Sequence, residues 1–247
     1  MKTILKVENL NVELEGEKII CNLYFEVREG EVLTILGPNG AGKTVLLKTL
    51  LGILPYQGKI EWAPGIKIGY VPQRVPFVKD FPISIEEFFK LKTKNEKEIK
   101  EVLKLVGFEE NFLKKNLGEI SSGQYQRILV SWALLGNPNV LLFDEPTSGI
   151  DISGKETIYQ LLEKLRKERN FTPLNPPEAE RQSRNLTGLT ILLVTHDLSV
   201  IYKFSDYVIC LNKCPICQGR PKEVLSSETL SKLYGQEVKF YEHYHAH

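Results

Sequence analysis

Charge of one sign is missing from this 247-residue chain, in which 32 lysines and arginines meet 31 aspartates and glutamates for a formal net charge of +1. That balance removes the electrostatic case for nucleic acid as the main partner, because no excess of cations stands ready to neutralise a phosphate backbone. Long hydrophobic runs are missing too. Val140–Phe143 and Ile191–Val194 are far shorter than the ~20 apolar residues a bilayer-spanning helix needs. Met1–Lys6 leads straight into an alternating strand pattern, without the apolar core of a signal peptide. These absences read as a soluble cytoplasmic protein. Cysteine is scarce, with four in the chain. In such a compartment Cys21, Cys210, Cys214 and Cys217 are expected to be reduced thiols or metal ligands rather than disulfides.

What is present is a 42% hydrophobic chain, enough to bury the core of one large α/β domain or two small ones. Its organising stretch is Gly37-Pro38-Asn39-Gly40-Ala41-Gly42-Lys43-Thr44, which fits G-x-x-x-x-G-K-[ST]. The buried-strand run Val32–Leu36 precedes it. Val45, Leu46, Leu47, Leu50 and Leu51 follow with helical periodicity, stopped by Gly52. Glycines let backbone N–H groups turn toward phosphate oxygens, and the following helix presents its positive end to the same charge. Lys43 is expected to reach the β- and γ-phosphates and the Thr44 hydroxyl to ligate Mg²⁺. A bare glycine-rich turn would not need the strand, the Lys-Thr pair and the helix together, so the stretch implies binding of a nucleoside triphosphate.

Around it the pattern predicts strands at Leu5–Leu14, Lys18–Ile20, Leu23–Val27, Gly58–Trp62 and Ile66–Val71, with turns at Glu15-Gly16-Glu17 and Glu29-Gly30. After Gln73 the character becomes helical. Ser84-Ile85-Glu86-Glu87 is a capping-box sequence. Ile99, Val102, Leu103 and Val106 recur at helical spacing, and a further helix is predicted from about Ser122 to Leu135. The core resumes at Val140–Phe143. A helix capped by Ser153 and Glu156 carries Ile158, Leu161, Leu162 and Leu165, and strands follow at Thr190–Val194 and Tyr207–Leu211. The proline-rich, polar stretch between Glu168 and Gly188 breaks the pattern and reads as a surface linker.

Further motifs add chemistry. Val140–Phe143 delivers Asp144-Glu145, one carboxylate placed to hold Mg²⁺ through water and the next to polarise an attacking water. Ser121-Ser122-Gly123-Gln124 opens a helix, a second candidate anion-binding N-terminus. Ser148-Gly149-Ile150-Asp151 follows closely, and His196 sits just after a buried strand. Each could be a cap, a turn or a surface histidine; their joint order has no such bland reading.

Together these residues resemble the ATP-binding subunit of ABC transporters over nearly the whole chain. The resemblance implies an α/β P-loop NTPase core with an N-terminal antiparallel β-subdomain and an inserted α-helical subdomain. As one domain, 1–247 would comprise a catalytic core (1–73 and 136–247), a helical subdomain with the signature (74–135), a surface insertion (169–188) and a histidine-containing tail (236–247). It further implies ATP and Mg²⁺ as cofactors, with Gly37–Thr44 on the phosphates and Gln73 near Mg²⁺ and the membrane partner. Ser121–Gln124 would meet ATP held by an opposite copy, and Asp151 would be the D-loop residue of the nucleotide site. Asp144 would serve Mg²⁺ with Thr44 and Gln73, Glu145 would be the catalytic carboxylate and His196 the switch histidine. The implied partners are membrane permease subunits, a second copy when ATP-bound, and a substrate-binding protein, on the cytoplasmic face of the membrane. Phe81–Phe88, Gly219–Leu225, Leu233-Tyr234-Gly235 and the tail resemble the zinc/manganese importer type.

Two positions depart from the family pattern. Ser122 replaces a glycine, and if that glycine has positive φ a side chain costs about 1 kcal/mol. Leu14 stands where an aromatic usually faces adenine. Cys214-Pro215-Ile216-Cys217 with Cys210 has spacing seen in zinc sites. His243, His245 and His247 could hold zinc or nickel loosely. The competing readings are a soluble ABC-type ATPase for cluster assembly or nucleic-acid machinery, and a metal-sensing module with residual ATPase.

Overall fold

The structure, a computed structural model, describes residues 2–73, 82–146, 158–164 and 189–235. The chain divides into two compact units. One is drawn from Met1–Leu5, Val27–Glu31 and Trp62–Leu193, the other from Lys6–Glu26, Val32–Glu61 and Val194–His247.

In the second unit, β1 (Thr3–Leu14), β2 (Glu17–Arg28) and β4 (Gln57–Trp62) supply nearly all of a three-stranded sheet ordered β2-β1-β4. The period-2 alternation is plain in β1, where Leu10 and Val12 are buried and Glu13 is exposed. The two strands expected at Lys18–Ile20 and Leu23–Val27 are one. Asn22 takes a left-handed φ of 47° and its N–H donates to Asn11 Oδ1 at 3.0 Å, so the strand runs through the irregularity. β3 (Val32–Leu36), buried at every position, feeds α1 (Lys43–Leu50). β3 pairs in parallel with β8 (Tyr207–Asn212), Leu36 opposite Cys210, and β8 pairs antiparallel with β9 (Cys214–Gly219). The helices Leu198–Phe204 and Ser227–Tyr234 bury Ile201, Leu230 and Leu233 in one cluster with Leu36, Val208 and Cys210.

This hairpin overturns the cysteine expectation. The β8–β9 register sets Cys210 opposite Cys217, and the Cys21 N–H donates to the Lys213 carbonyl at 3.1 Å, which brings Cys21 beside Cys214. Cys21–Cys214 and Cys210–Cys217 are disulfides, with Cα separations of 4.9 and 4.8 Å. No cysteine remains as a thiol. Among the described residues no group of three or more histidine, cysteine, aspartate or glutamate side chains is arranged to hold a metal ion.

In the first unit, β5 (Ile68–Val71), β6 (Val140–Asp144) and β7 (Thr190–Val194) are neighbours in that order. β5 and β6 are parallel, with Val71 opposite Phe143. Between them come α2 (Ile85–Lys90), α3 (Glu96–Leu105) and α4 (Ser122–Leu134). Ser84 and Glu87 form the expected capping box, and Ile99, Val102 and Leu103 are the buried stripe of α3. Residues 158–164 are helical with Ile158, Leu161 and Leu162 buried; Ser153, Glu156 and Leu165 lie outside the described residues, as do 169–188 and the tail. No described helix is long and apolar enough to cross a membrane.

One buried carboxylate ties this helical region together. Glu98, 6% exposed, accepts the Thr93 hydroxyl at 3.0 Å and the Gly136 N–H at 2.6 Å. That joins the start of α3 to the turn that ends α4. Truncating it leaves a donor unsatisfied, worth about 1–3 kcal/mol. Glu98→Ala should therefore lower the thermal midpoint by roughly 3–10 °C, read by circular dichroism. Glu98→Gln, which retains an acceptor, should lose less; equal losses would show that packing rather than the hydrogen bonds carries the effect.

Candidate nucleotide site

Within the second unit the phosphate loop leaves β3 at its C-terminal edge, where ligands of parallel α/β sheets bind. Gly37 is buried, and a Cβ there would lie 2.0 Å from the Leu211 carbonyl oxygen. Only glycine fits. Gly42 is the N-cap of α1, with φ 94° and no side-chain cap. Lys43 folds back over the loop. It is 7% exposed, and its ammonium donates to the Gly37 and Pro38 carbonyls at 2.8 and 2.9 Å. Thr44, the next residue, is half-buried. His196 leaves the same edge, because Thr195 N–H donates to the Ile35 carbonyl at 3.4 Å. The following Asp197 accepts the N–H groups of Ser199 and Val200 and so anchors the next helix. His196, whose side chain is exposed, lies in the chain between these two hydrogen-bonded residues. Leu14 is half-buried at the end of β1.

Within the first unit the parallel register does the positioning. Val71 faces Phe143, so two residues further on Gln73 meets Glu145, and the Gln73 amide donates to Glu145 Oε2 at 2.8 Å. Glu145 is 8% exposed and has a left-handed φ of 47°, backbone strain of a kind that costs about 1–3 kcal/mol and collects at functional sites. Asp144 is 1% exposed, and the Tyr70 hydroxyl donates to its Oδ2 at a long 3.4 Å. Burial first, then the Asp144 charge and hydrogen bond, push the Tyr70 phenol well above its ordinary range. Nothing in the sequence pattern singled out Tyr70; only the strand register, with Tyr70 opposite Leu142, could have pointed to it.

The signature stretch also belongs to the first unit. Ser121 is the N-cap of α4, accepting Gln124 N–H at 3.2 Å while Gln124 Oε1 accepts Ser121 N–H at 3.0 Å. Ser121 and Ser122 are exposed and Gly123 and Gln124 half-buried. Ser122 is the first residue of the helix and is absent from the positive-φ residues, so the backbone penalty considered for it does not arise. Asp151 and His243, His245 and His247 lie outside the described residues.

Residues 20–148 match the ABC transporter family. Over 100% of its own length and 98% of the relative, the chain is 35% identical to the zinc import ATP-binding protein ZnuC of Buchnera aphidicola subsp. Schizaphis graminum. The chain belongs to the ABC transporter family, as an ATP-binding, ATP-hydrolysing subunit. Solved ABC proteins share the fold. CbiO1 from Clostridium perfringens, part of the ABC transporter complex cbiONQ, superposes with a TM-score of 0.73 at 29% identity over 94% of each chain. The ATP-binding cassette MJ0796, in a dimeric post-hydrolysis state bound to ADP and Pi, gives 0.69 at 25% identity over 88% of this chain and 99% of that one. The mixed parallel and antiparallel sheets with helices are therefore those of an ABC ATPase.

Two substitutions probe this ABC ATPase. Gln73→Glu replaces an amide donor by a second carboxylate 2.8 Å from Glu145, so a hydrogen bond to a charged group is lost and like charges repel. ATPase turnover should fall by about tenfold or more, the scale of that one bond; unchanged turnover would show that Gln73 does not meet Glu145 in the working enzyme. Ser122→Gly should leave ATPase unraised and cost about 0.5 kcal/mol of helix stability, since Ser122 is helical.

Proposed function

We propose that this ABC ATPase powers import of a divalent metal, zinc first and manganese second, through a separate membrane permease. The observation that carries this reading is the full-length similarity to zinc import ATP-binding proteins, 35% identity over 100% of this chain. The subunit would sit on the cytoplasmic face of the membrane with permease subunits, and a substrate-binding protein would complete the system. Two copies would close on ATP, each offering Ser121–Gln124 and Asp151 to nucleotide held by the other. The dimeric state of MJ0796 bound to ADP and Pi supports this.

In this reading Gly37–Thr44 wraps the triphosphate, and its oxygens replace the Gly37 and Pro38 carbonyls as partners of Lys43. Thr44, Asp144 and Gln73 would hold Mg²⁺; a hydroxyl, a carboxylate and an amide carbonyl are the oxygen donors a hard cation takes. The ion supplies charge neutralisation at the phosphates when bound. Glu145 orients and polarises the attacking water, and Gln73 governs when its carboxylate is available. His196 donates to the γ-phosphate. Leu14 meets the adenine through apolar contact rather than stacking.

Metal uptake in cells lacking this chain, tested with zinc, manganese and iron, checks the substrate. Loss of zinc uptake alone is the expected result, and unchanged uptake of all three would refute the metal reading. Catalysis is checked separately with Glu145→Gln, which keeps the shape and removes the charge. ATP binding should persist while turnover falls by about 10²–10⁴-fold, with accumulation of an ATP-bound dimer. Wild-type turnover in that variant would remove Glu145 from the catalytic role.

A further inference from the structure

The two disulfides differ in access and in what they brace. Cys214 is exposed and Cys21 half-buried, whereas Cys210 is wholly buried. Lys213, immediately before Cys214, turns β8 into β9 with a left-handed φ of 61°. Its N–H donates to the carbonyl of Ala41 in the phosphate loop at 3.1 Å, and its carbonyl accepts the Cys21 N–H at 3.1 Å. Its ammonium meets Glu17 of β2 at 2.6 Å. The turn is therefore a strap between β2 and the loop, and the Cys21–Cys214 bond ties that strap to β2 covalently. The same two segments wall the loop. A Cβ on Gly42 would lie 2.9 Å from the Ile19 carbonyl oxygen, and one on Gly37 2.0 Å from that of Leu211. Cys210–Cys217, by contrast, only joins register partners within the β8–β9 hairpin.

We propose that Cys21 and Cys214 form a thiol–disulfide exchange site, with low-molecular-weight disulfides and thiols as its reactants, whose oxidised state tightens ATP binding by the phosphate loop. In the oxidising direction the exposed Cys214 thiolate attacks one sulfur of a small disulfide and expels the first small thiolate. The Cys21 thiolate then attacks Cys214 Sγ of the mixed disulfide and expels the second. Two electrons pass from the cysteine pair to the small disulfide, and the two cysteine protons end on the two small thiols. Two small thiols, or one dithiol, reverse the sequence. With the bond open, the hydrogen bond from Cys21 N–H and the Glu17 ion pair remain between the Lys213 turn and β2 without the covalent tie, so the wall of the loop loosens.

The inference rests on ATP binding by Gly37–Thr44 and goes beyond it. The test uses the full chain and ATP itself, by calorimetry, after glutathione disulfide and after dithiothreitol. Mass spectrometry of alkylated peptides reports each cysteine pair, and circular dichroism confirms that the reduced wild type stays folded. Reduction should weaken ATP binding about three- to tenfold, the scale of loosening one or two hydrogen bonds. Cys214→Ser should bind like the reduced wild type under both conditions, and Cys217→Ser should keep the response. Equal affinity in both states, with the Cys21–Cys214 peptide shown to open and close, would overturn the proposal, as would failure of that pair to form under the oxidant. A response that vanishes in Cys217→Ser and persists in Cys214→Ser would also overturn it, by moving the effect to the other pair. No ATP binding in either state would instead bring down the loop assignment along with it.

Discussion

The carbonyl oxygen of Leu211 occupies the space that any side chain at position 37 would need, 2.0 Å from a Cβ built there. Much of the nucleotide loop depends on that approach. It lets β3 stay paired with β8 up to Leu36 and Cys210, after which the chain can turn away as a loop lined by backbone. A second close approach, of Gly42 to the Ile19 carbonyl, bounds the other end. Between these limits the loop has little freedom, and donors that are already in place require no reorganisation when a polyanion arrives. The glycines are therefore steric requirements of the strands around them as much as conformational ones.

Buried charge is a second constraint, met within each unit separately. Lys43, Asp144 and Glu145 are each less than a tenth exposed, and a buried charge is tolerable only with polar partners. Lys43 has the Gly37 and Pro38 carbonyls and Glu145 has the Gln73 amide. Carbonyl dipoles hold an ammonium in place, but a phosphate oxygen offers it full negative charge, so ion–ion attraction adds to the hydrogen bond. A polyanion at this loop would therefore compete with those carbonyls for Lys43. Tyr70 extends the same logic, a buried hydroxyl donating toward a buried carboxylate.

The phosphate loop, the strand that delivers Asp144-Glu145 and the stripe Ile99, Val102, Leu103 were legible because local patterning and tertiary role coincide there. Where they part, the sequence misleads or is silent. Asn22 breaks the apolar alternation, yet β2 continues, because a distant side chain, Asn11, satisfies its N–H. Ser122 looked strained by analogy with a glycine, but the capping box of Ser121 and Gln124 makes it an ordinary first-turn residue. The cysteines read as thiols because compartment and spacing were the only cues. Strand β9 was hidden by Cys214-Pro215-Ile216-Cys217, a stretch that resembles a ligand motif more than an edge strand. Pairings across 193 residues leave no local signature. The contact of Gln73 with Glu145 is of this kind as well, since it is set by strand register and not by either motif alone.

That contact has a magnitude worth weighing. A hydrogen bond to a charged group contributes about 1.5–3 kcal/mol, close to the about 1–3 kcal/mol that a left-handed non-glycine residue costs. Glu145, with φ 47°, therefore sits near balance between a strained backbone and the partner that helps hold it. Parallel pairing of β5 with β6 up to Val71 and Phe143 makes the link short, with one residue, Pro72, between the last paired position and Gln73. A displacement of Gln73 need not travel through the core to reach the carboxylate; it breaks or makes a single bond. An interaction of a few kcal/mol is strong enough to bias the position of Glu145 and too weak to lock it. A rigid salt bridge at the same place would hold the glutamate whatever happened to the segment after Gln73, and a solvent-exposed contact would not hold it at all. The intermediate strength is what allows a neighbouring segment to shift the equilibrium of this carboxylate by its own differential interactions.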